Sequence, residues 1–152
     1  MGIAVTLHLL AATVWVGGLF FAFACLRPAA AGLDAAHRVQ LWADALTRFS
    51  RWVWVAIAVL LATGLWIIFS FMGGMKNAGL HVHLMMGLGI LMMLLTGHLQ
   101  FAPLRRLRRA VAESHWADAG KALNQIRVFI GVNLVLGLVV MAIGVGGRYF
   151  LR

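Results

Sequence analysis

Four long stretches of this chain carry no charged side chain, and they constrain its fold more than any other feature. The charged residues, 13 Lys and Arg and 4 Asp and Glu, all lie outside the ranges 2–26, 52–75, 77–104 and 128–147. A helix needs about 20 apolar residues to cross a hydrocarbon core of roughly 30 Å, and it satisfies its own backbone there. We therefore predict an all-α integral membrane protein, a four-transmembrane-helix bundle with spans near 3–26, 52–72, 80–102 and 127–147.

The overall composition agrees with this interpretation. Hydrophobic residues make up 63% of the chain and charged residues 11%, against roughly 45–50% and about 25% in soluble domains. An ordinary soluble domain and a disordered chain are both excluded, and we expect a single membrane domain over 1–152. Cys25 is the only cysteine, which excludes an internal disulfide.

Proline, glycine and asparagine predict where the helices end. Arg27-Pro28 should stop the first helix and Pro103 the third, because proline lacks a backbone donor and disfavours helix before it. Gly73-Gly74 should close the second helix, and Asn124 should cap the fourth. We expect the first stretch to be a span rather than a signal peptide, because no basic region precedes it and Arg27 follows it.

The basic residues predict the orientation. Ten Lys and Arg lie in the predicted loops 27–51 and 103–126 or at their borders, and three lie on the other side. The positive-inside rule then places these loops in the cytoplasm and both termini outside, in the periplasm of a bacterial inner membrane. Both loops look partly helical and amphipathic, and we expect them to lie on the anionic bilayer surface. We predict no nucleic-acid partner, because no groove-reading module accompanies the basic cluster 105–109.

Few polar side chains lie inside the spans, and each is a candidate for function. At about 1.5 Å per residue, His8 lies about 7 Å below the outer end of its helix, and His83 lies at a comparable depth. His81 and His83 are about 200° apart around their helix, so they cannot share a face. We assign His83 and His98 to the bundle interior and His81 to the interface or a supporting position. Asn133 is the polar residue of the fourth span.

Small residues surround the assigned inward faces. The rows are His8, Ala11, Ala12, Trp15, Gly18 and Ala22 on the first helix; His83, Gly87, Ile90, Leu94 and Gly97 on the third; and Asn133, Gly137, Val140 and Gly144 on the fourth. Such rows indicate close helix packing, or room for a flat macrocycle between helices. Two histidines at matched depth are a suitable axial pair for haem iron. We therefore predict haem b held by His8 and His83, with His81, Asn133, Trp15 and Gly87 around it.

Copper is the alternative cofactor. Two histidines and four methionines cluster near the outer ends of the second and third helices: Met72, Met75, His81, His83, Met85 and Met86. Thioether and imidazole are ligands that favour Cu(I). Methionine also fills apolar gaps, and histidines can simply pair with backbone carbonyls, so a purely structural membrane subunit stays open as a third hypothesis.

Several motifs resemble those of the small CopD-like membrane proteins, over essentially the whole chain. In the first helix the motifs are the stretch 7–20, which contains Trp15-Val16-Gly17-Gly18, and the following Leu26-Arg27-Pro28. In the third helix they are Gly79-Leu80-His81-Val82-His83-Leu84 and Gly97-His98, and at the entry to the fourth helix the motif is Asn124-Gln125-Ile126-Arg127. The resemblance implies copper handling across the inner membrane. The wider superfamily also includes HemJ-type protoporphyrinogen oxidases, which are four-helix haem b proteins. Their first-helix histidine corresponds to His8. Their His-x-Lys motif, whose lysine is implicated in haem binding, reads His81-x-His83 here.

The expected function is therefore haem b binding with a redox or electron-transfer role, and any enzyme activity would be that of an oxidoreductase. A quinone, porphyrinogen or other redox partner and self-association through glycine faces are further expectations. The lipid bilayer is the one partner that every hypothesis requires.

Overall fold

The computed structural model describes the backbone of residues 1–150 and their side chains, except those of Arg148 and Phe150. Six α-helices form this part of the chain: α1 (Gly2–Phe20), α2 (Arg27–Ala29), α3 (Ala35–Phe71), α4 (Leu80–Phe101), α5 (Pro103–Ala112) and α6 (Trp116–Phe150). Among these residues there is no β-strand. Four helical segments are long and apolar enough to cross a membrane: Gly2–Gly32, Ala35–Phe71, Leu80–Ala112 and Trp116–Gly147. The predicted multi-pass helical membrane protein is confirmed.

The first span is a single rod with one irregular stretch. Beyond α1 the chain passes through a π-helical segment (Phe21–Leu26), then α2, and then a 3-10 turn (Ala30–Gly32). Pro28 therefore does not stop the helix as predicted. It lies in α2, directly after the π-helical segment, and the helical rod continues through it.

Two of the predicted breaks are confirmed. Gly73 and Gly74 have φ of 72° and 99°, a region open to glycine at little cost, and the Gly74 N–H donates to the Ile68 carbonyl at 3.0 Å. The second confirmed break is at Pro103: α4 ends at Phe101, and Pro103 begins α5.

The helices α3 and α6 are much longer than the predicted spans. They contain 37 and 35 residues, which at about 1.5 Å per residue exceeds the roughly 30 Å of a hydrocarbon core. Asn124 is not a helix cap, because α6 begins eight residues earlier, at Trp116. A side-chain cap is found on a different helix, α3, where Asp34 accepts a hydrogen bond from the His37 N–H at 3.1 Å.

The extra length builds a packed apolar core at one end of the bundle. We call this the basic end; it comprises residues 27–51 and 103–127. Trp42, Leu107, Ala119 and Ile126 are completely buried there. The amphipathic segments therefore turn their apolar faces towards one another, and the prediction that they lie on the bilayer surface is wrong for those faces.

The opposite end, which we call the terminal end, carries the start of α1, the link 72–79 and the last turns of α6. In the membrane half α1 packs against α3, α4 against α6, and α1 against α6. Of these helices, α1, α4 and α6 meet at the buried Gly137, where an added Cβ would lie 2.8 Å from Val16 Cγ2 and 3.2 Å from Met92 Cε. The predicted inward position of Gly137 is confirmed.

Candidate functional site

The orientation of α4 decides which of its polar side chains enter the bundle. Its buried residues are Met92, Thr96 and Leu99. The row expected to face inward lies outside instead, since Ile90 is 46% and Leu94 66% exposed. Gly87 is also exposed, and an added Cβ there would meet nothing within 4 Å. The helix is therefore rotated relative to the prediction.

His81 faces α6. An added Cβ on Gly147 would lie 2.7 Å from His81 Cβ, so the glycine lets the two helices meet there. The His81 Nδ1 atom is buried and has no hydrogen-bond partner. A buried polar atom without a partner is costly, which makes this nitrogen a candidate ligand.

His83 has the opposite environment. Its side chain is exposed, and its Nδ1 lies 3.2 Å from the Gly79 carbonyl oxygen. A carbonyl only accepts, so Nδ1 carries the proton and the lone pair of Nε2 is free for a metal. The His81 ring also borders Gly79, since an added Cβ there would lie 2.8 Å from His81 Cε1. Both imidazoles therefore adjoin the same residue at the start of α4.

Met85 extends this group one helical turn into the membrane. It lies four residues after His81, so the two side chains share a face. An added Cβ on Gly144 would lie 3.1 Å from Met85 Cε and 3.6 Å from its Sδ. We name His81, His83 and Met85 the terminal donor cluster. Its arrangement offers two imidazole nitrogens and one thioether within the first two turns of α4.

The other predicted copper ligands lie nearby in sequence but in different settings. Met72 directly follows α3, Met75 begins a one-turn 3-10 helix (Met75–Asn77), and both are partly buried. Met86 is 37% exposed and lies about 100° around the helix from Met85. Within residues 1–150 no group of three or more His, Cys, Asp or Glu is placed to hold a metal ion. A site at this end would thus depend on methionine.

His8 belongs to a separate interface. Its Nδ1 lies 2.8 Å from Thr63 Oγ1, and that hydroxyl donates to the Val59 carbonyl at 2.6 Å. The imidazole Nδ1–H is therefore the donor between them. Its Cε1 would be 3.3 Å from a Cβ added to Gly64, which places His8 against α3.

The structure does not bring His8 and His83 together on facing surfaces. One packs on α3 and the other is exposed on α4, and the helices α1 and α4 are not among the closely packed pairs. The predicted orientation of His81 and His83 is reversed. Haem b binding and a redox role therefore receive no support from this arrangement.

Asn133 and Trp15 lie deeper in the bundle. The Asn133 Nδ2 donates to Thr96 Oγ1 at 3.0 Å, joining α6 to α4. Asn133 Oδ1 and Trp15 Nε1 are buried without partners, and both residues line a small cavity of about 30 Å³. Asn133 is 14 residues from Gly147, or about 21 Å along α6, so it does not support the terminal donor cluster.

His98, which was predicted to face the bundle interior, is exposed, and its ring centre lies 5.2 Å from that of Phe129.

Comparison with protein families identifies the chain. The family model described as Copper resistance protein D matches residues 43–146, about two thirds of the chain. The chain belongs to the CopD family. Comparisons with curated proteins and with solved structures find no match, and no link to the HemJ-type oxidases emerges.

The CopD match divides the candidate residues into two groups. All of the terminal donor cluster and the four methionines Met72, Met75, Met85 and Met86 lie within 43–146, whereas His8 and Trp15 lie outside. The role of Gly147, which lets His81 pack against α6, was not predicted from the sequence. The large aliphatic residues Ile90 and Leu94, which are 46% and 66% exposed, are the sequence signal that would have shown which face of α4 is not packed.

Proposed function

We propose that this CopD-family membrane protein binds copper as Cu(I) at its terminal end and takes part in moving copper across the membrane. The observation that carries the proposal is the buried, unpartnered Nδ1 of His81 on the same helix face as the Met85 sulfur. The family described as Copper resistance protein D supports the same metal.

The donor chemistry fits Cu(I). Imidazole nitrogen and thioether sulfur are the soft and intermediate ligands that this ion prefers. His81 offers Nδ1, and His83 offers Nε2 because its Nδ1 is held by the Gly79 carbonyl. A ligating histidine is commonly oriented by such a hydrogen bond through its other ring nitrogen.

The location fits an entry point. The start of α4 follows the link 72–79, which contributes Met72 and Met75, so further thioethers lie on the same side. The charge distribution predicts that this side faces the periplasm. Copper would then meet the protein near Gly79, which the exposed His83 and the half-buried His81 both border, with Met85 one turn deeper than His81.

A Cu(I) competition titration of the purified full-length protein in detergent tests the proposal. We expect His81→Ala and Met85→Leu each to weaken Cu(I) affinity about tenfold or more, because each removes one ligand. The matched controls are His98→Ala at the other end of α4 and Met93→Leu in its middle, which should leave affinity unchanged. Unchanged affinity in both cluster variants would overturn the proposed site.

A glycine pair tests the geometry independently of the ligands. Gly147→Ala should weaken Cu(I) binding, because its Cβ would lie 2.7 Å from that of His81. Gly87→Ala should not weaken Cu(I) binding, because its Cβ would meet nothing within 4 Å.

An optical spectrum of protein from haem-replete cells distinguishes copper from haem. A Soret band that is lost in His8→Ala would favour haem instead of copper.

A further inference from the structure

Three arginines from three separate segments converge on one surface cavity at the basic end. The cavity has a volume of about 250 Å³ and is lined by Arg27, Pro28, Ala31, Arg38 and Arg127. Arg27 begins α2, Arg38 lies in the first turn of α3, and Arg127 lies in α6. This convergence is a property of the fold, because the three residues are far apart in sequence.

No carboxylate balances these three charges in the described part of the chain. Of the four acidic residues, Asp34 pairs with His37, Glu113 with Arg109 and His115, and Asp118 with Lys121. Asp44 is exposed and joins none of these pairs. Arg27, Arg38 and Arg127 thus bring three positive charges to one cavity that no carboxylate lines. Like charges held together favour an anion between them.

The guanidinium groups are held in place by neighbours that leave donors free. The Arg127 Cζ lies 5.4 Å from the centre of the fully buried Trp42 ring, and its Nη1 lies 3.4 Å from Asn124 Oδ1. Its Nε is buried and has no hydrogen-bond partner. A planar guanidinium fixed by stacking presents its remaining N–H groups in a fork.

The other two arginines are also anchored. The Arg38 Nη1 donates to the Leu33 carbonyl at 3.3 Å, and the Arg27 Cζ lies 5.4 Å from the centre of the Phe23 ring. Arginine forks match the oxygens of phosphate, and such charge-assisted hydrogen bonds are the strong ones. Pro28 and Ala31 complete the wall with apolar surface.

From these contacts we infer that the Arg27, Arg38 and Arg127 cavity is a binding site for a phosphate group. The group is either the headgroup of an anionic lipid or a free phosphate from the surrounding water. The site lies at the opposite end of the bundle from the terminal donor cluster and is independent of copper binding. Arg27 directly follows the charge-free stretch 2–26, and Arg127 directly precedes the charge-free stretch 128–147, so the cavity opens at a membrane border.

Thermal unfolding of the full-length protein tests this inference, because a ligand that binds only the folded state raises Tm with its concentration. One arm titrates inorganic phosphate in neutral detergent at constant ionic strength. The other compares bilayer discs of phosphatidylcholine with discs that also contain phosphatidylglycerol. The variants are Arg27→Gln and Arg38→Gln, and the matched control is Arg108→Gln, an exposed arginine of α5 at the same end.

We expect saturable stabilisation of the parent protein in one arm, with affinity about tenfold lower in each variant and unchanged in the control. A response to inorganic phosphate identifies a free phosphate, and a response to phosphatidylglycerol alone identifies a lipid headgroup. No stabilisation in either arm, or an equal loss in Arg108→Gln, would overturn the site.

Discussion

The two ends of this bundle are built on different principles. At the basic end, α3, α5 and α6 enclose fully buried side chains such as Trp42, Leu107 and Ile126, as the core of a soluble protein does. In the membrane half many large apolar side chains remain exposed, and only 11% of the most apolar window of the third span is buried. Lipid is as apolar as leucine and does not drive these side chains inward.

The difference separates the sources of stability. Burial from water can stabilise the basic end, whereas the membrane half depends on close contact at glycine and on a few internal hydrogen bonds. The same contrast holds for the proposed sites. The arginine cavity lies beside the buried core, since Arg127 packs on the fully buried Trp42. The terminal donor cluster lies where the helices meet at glycine rather than around a buried core.

Leu107→Ala should produce the largest effect and tests the core directly. Leu107 is completely buried in α5, so we expect a loss of about 2–5 kcal/mol in the free energy of unfolding. Leu94→Ala, on a residue 66% exposed in α4, should cost less than about 0.5 kcal/mol. Unfolding by titration with a denaturing detergent measures both, and equal losses would remove the contrast between the two regions.

Thr96→Val should have an intermediate effect. It removes the acceptor of the buried hydrogen bond from Asn133, and hydrogen bonds between membrane helices contribute about 0.6–1.7 kcal/mol. A double-mutant cycle with Asn133→Leu gives the coupling between the two side chains. A coupling of zero would mean that this polar pair adds nothing to the packing of α4 on α6.

Acid should weaken the start of α3, and this should be the smallest effect. Hydrogen bonds from the backbone and side chain of His37, to the exposed Asp34, hold the pKa of Asp34 below its usual value. A depressed pKa in the folded state stabilises at higher pH, and that contribution is lost as pH falls below about 4. Asp34→Asn keeps a capping oxygen but cannot titrate, so the slope of Tm against pH in this range should be smaller. An unchanged slope would exclude Asp34 as its source.

The sequence predicted the parts of the fold that follow from local chemistry. The charge-free stretches located four helices, and Gly73-Gly74 and Pro103 marked real breaks. Charged residues between the spans did not mark loops, however. Arg38, Asp44 and Arg48 lie along α3 while Val39, Trp42 and Leu46 on its other side are buried, and this amphipathic pattern extends the helix far beyond the apolar stretch.

The candidate site was predicted only in part for a similar reason. Helical periodicity correctly separated His81 from His83, but it could not say which of them faces the bundle. Small residues on α4 suggested the wrong face, because glycine beside lipid and glycine beside a helix look alike in sequence. The exposed Ile90 and Leu94 show the usable signal: large aliphatic side chains of a membrane helix belong to the lipid side.

The π-helical segment Phe21–Leu26 has a consequence for the lower part of the first rod. A π turn holds one residue more than an α turn, and each residue advances the helix by about 100°. The direction in which Arg27 leaves the rod is therefore offset from the pattern of α1 by more than a quarter of a revolution. Deleting one residue from this segment would turn Arg27 to a different side of the helix. The segment therefore sets the direction of Arg27 relative to the lipid-facing residues of α1.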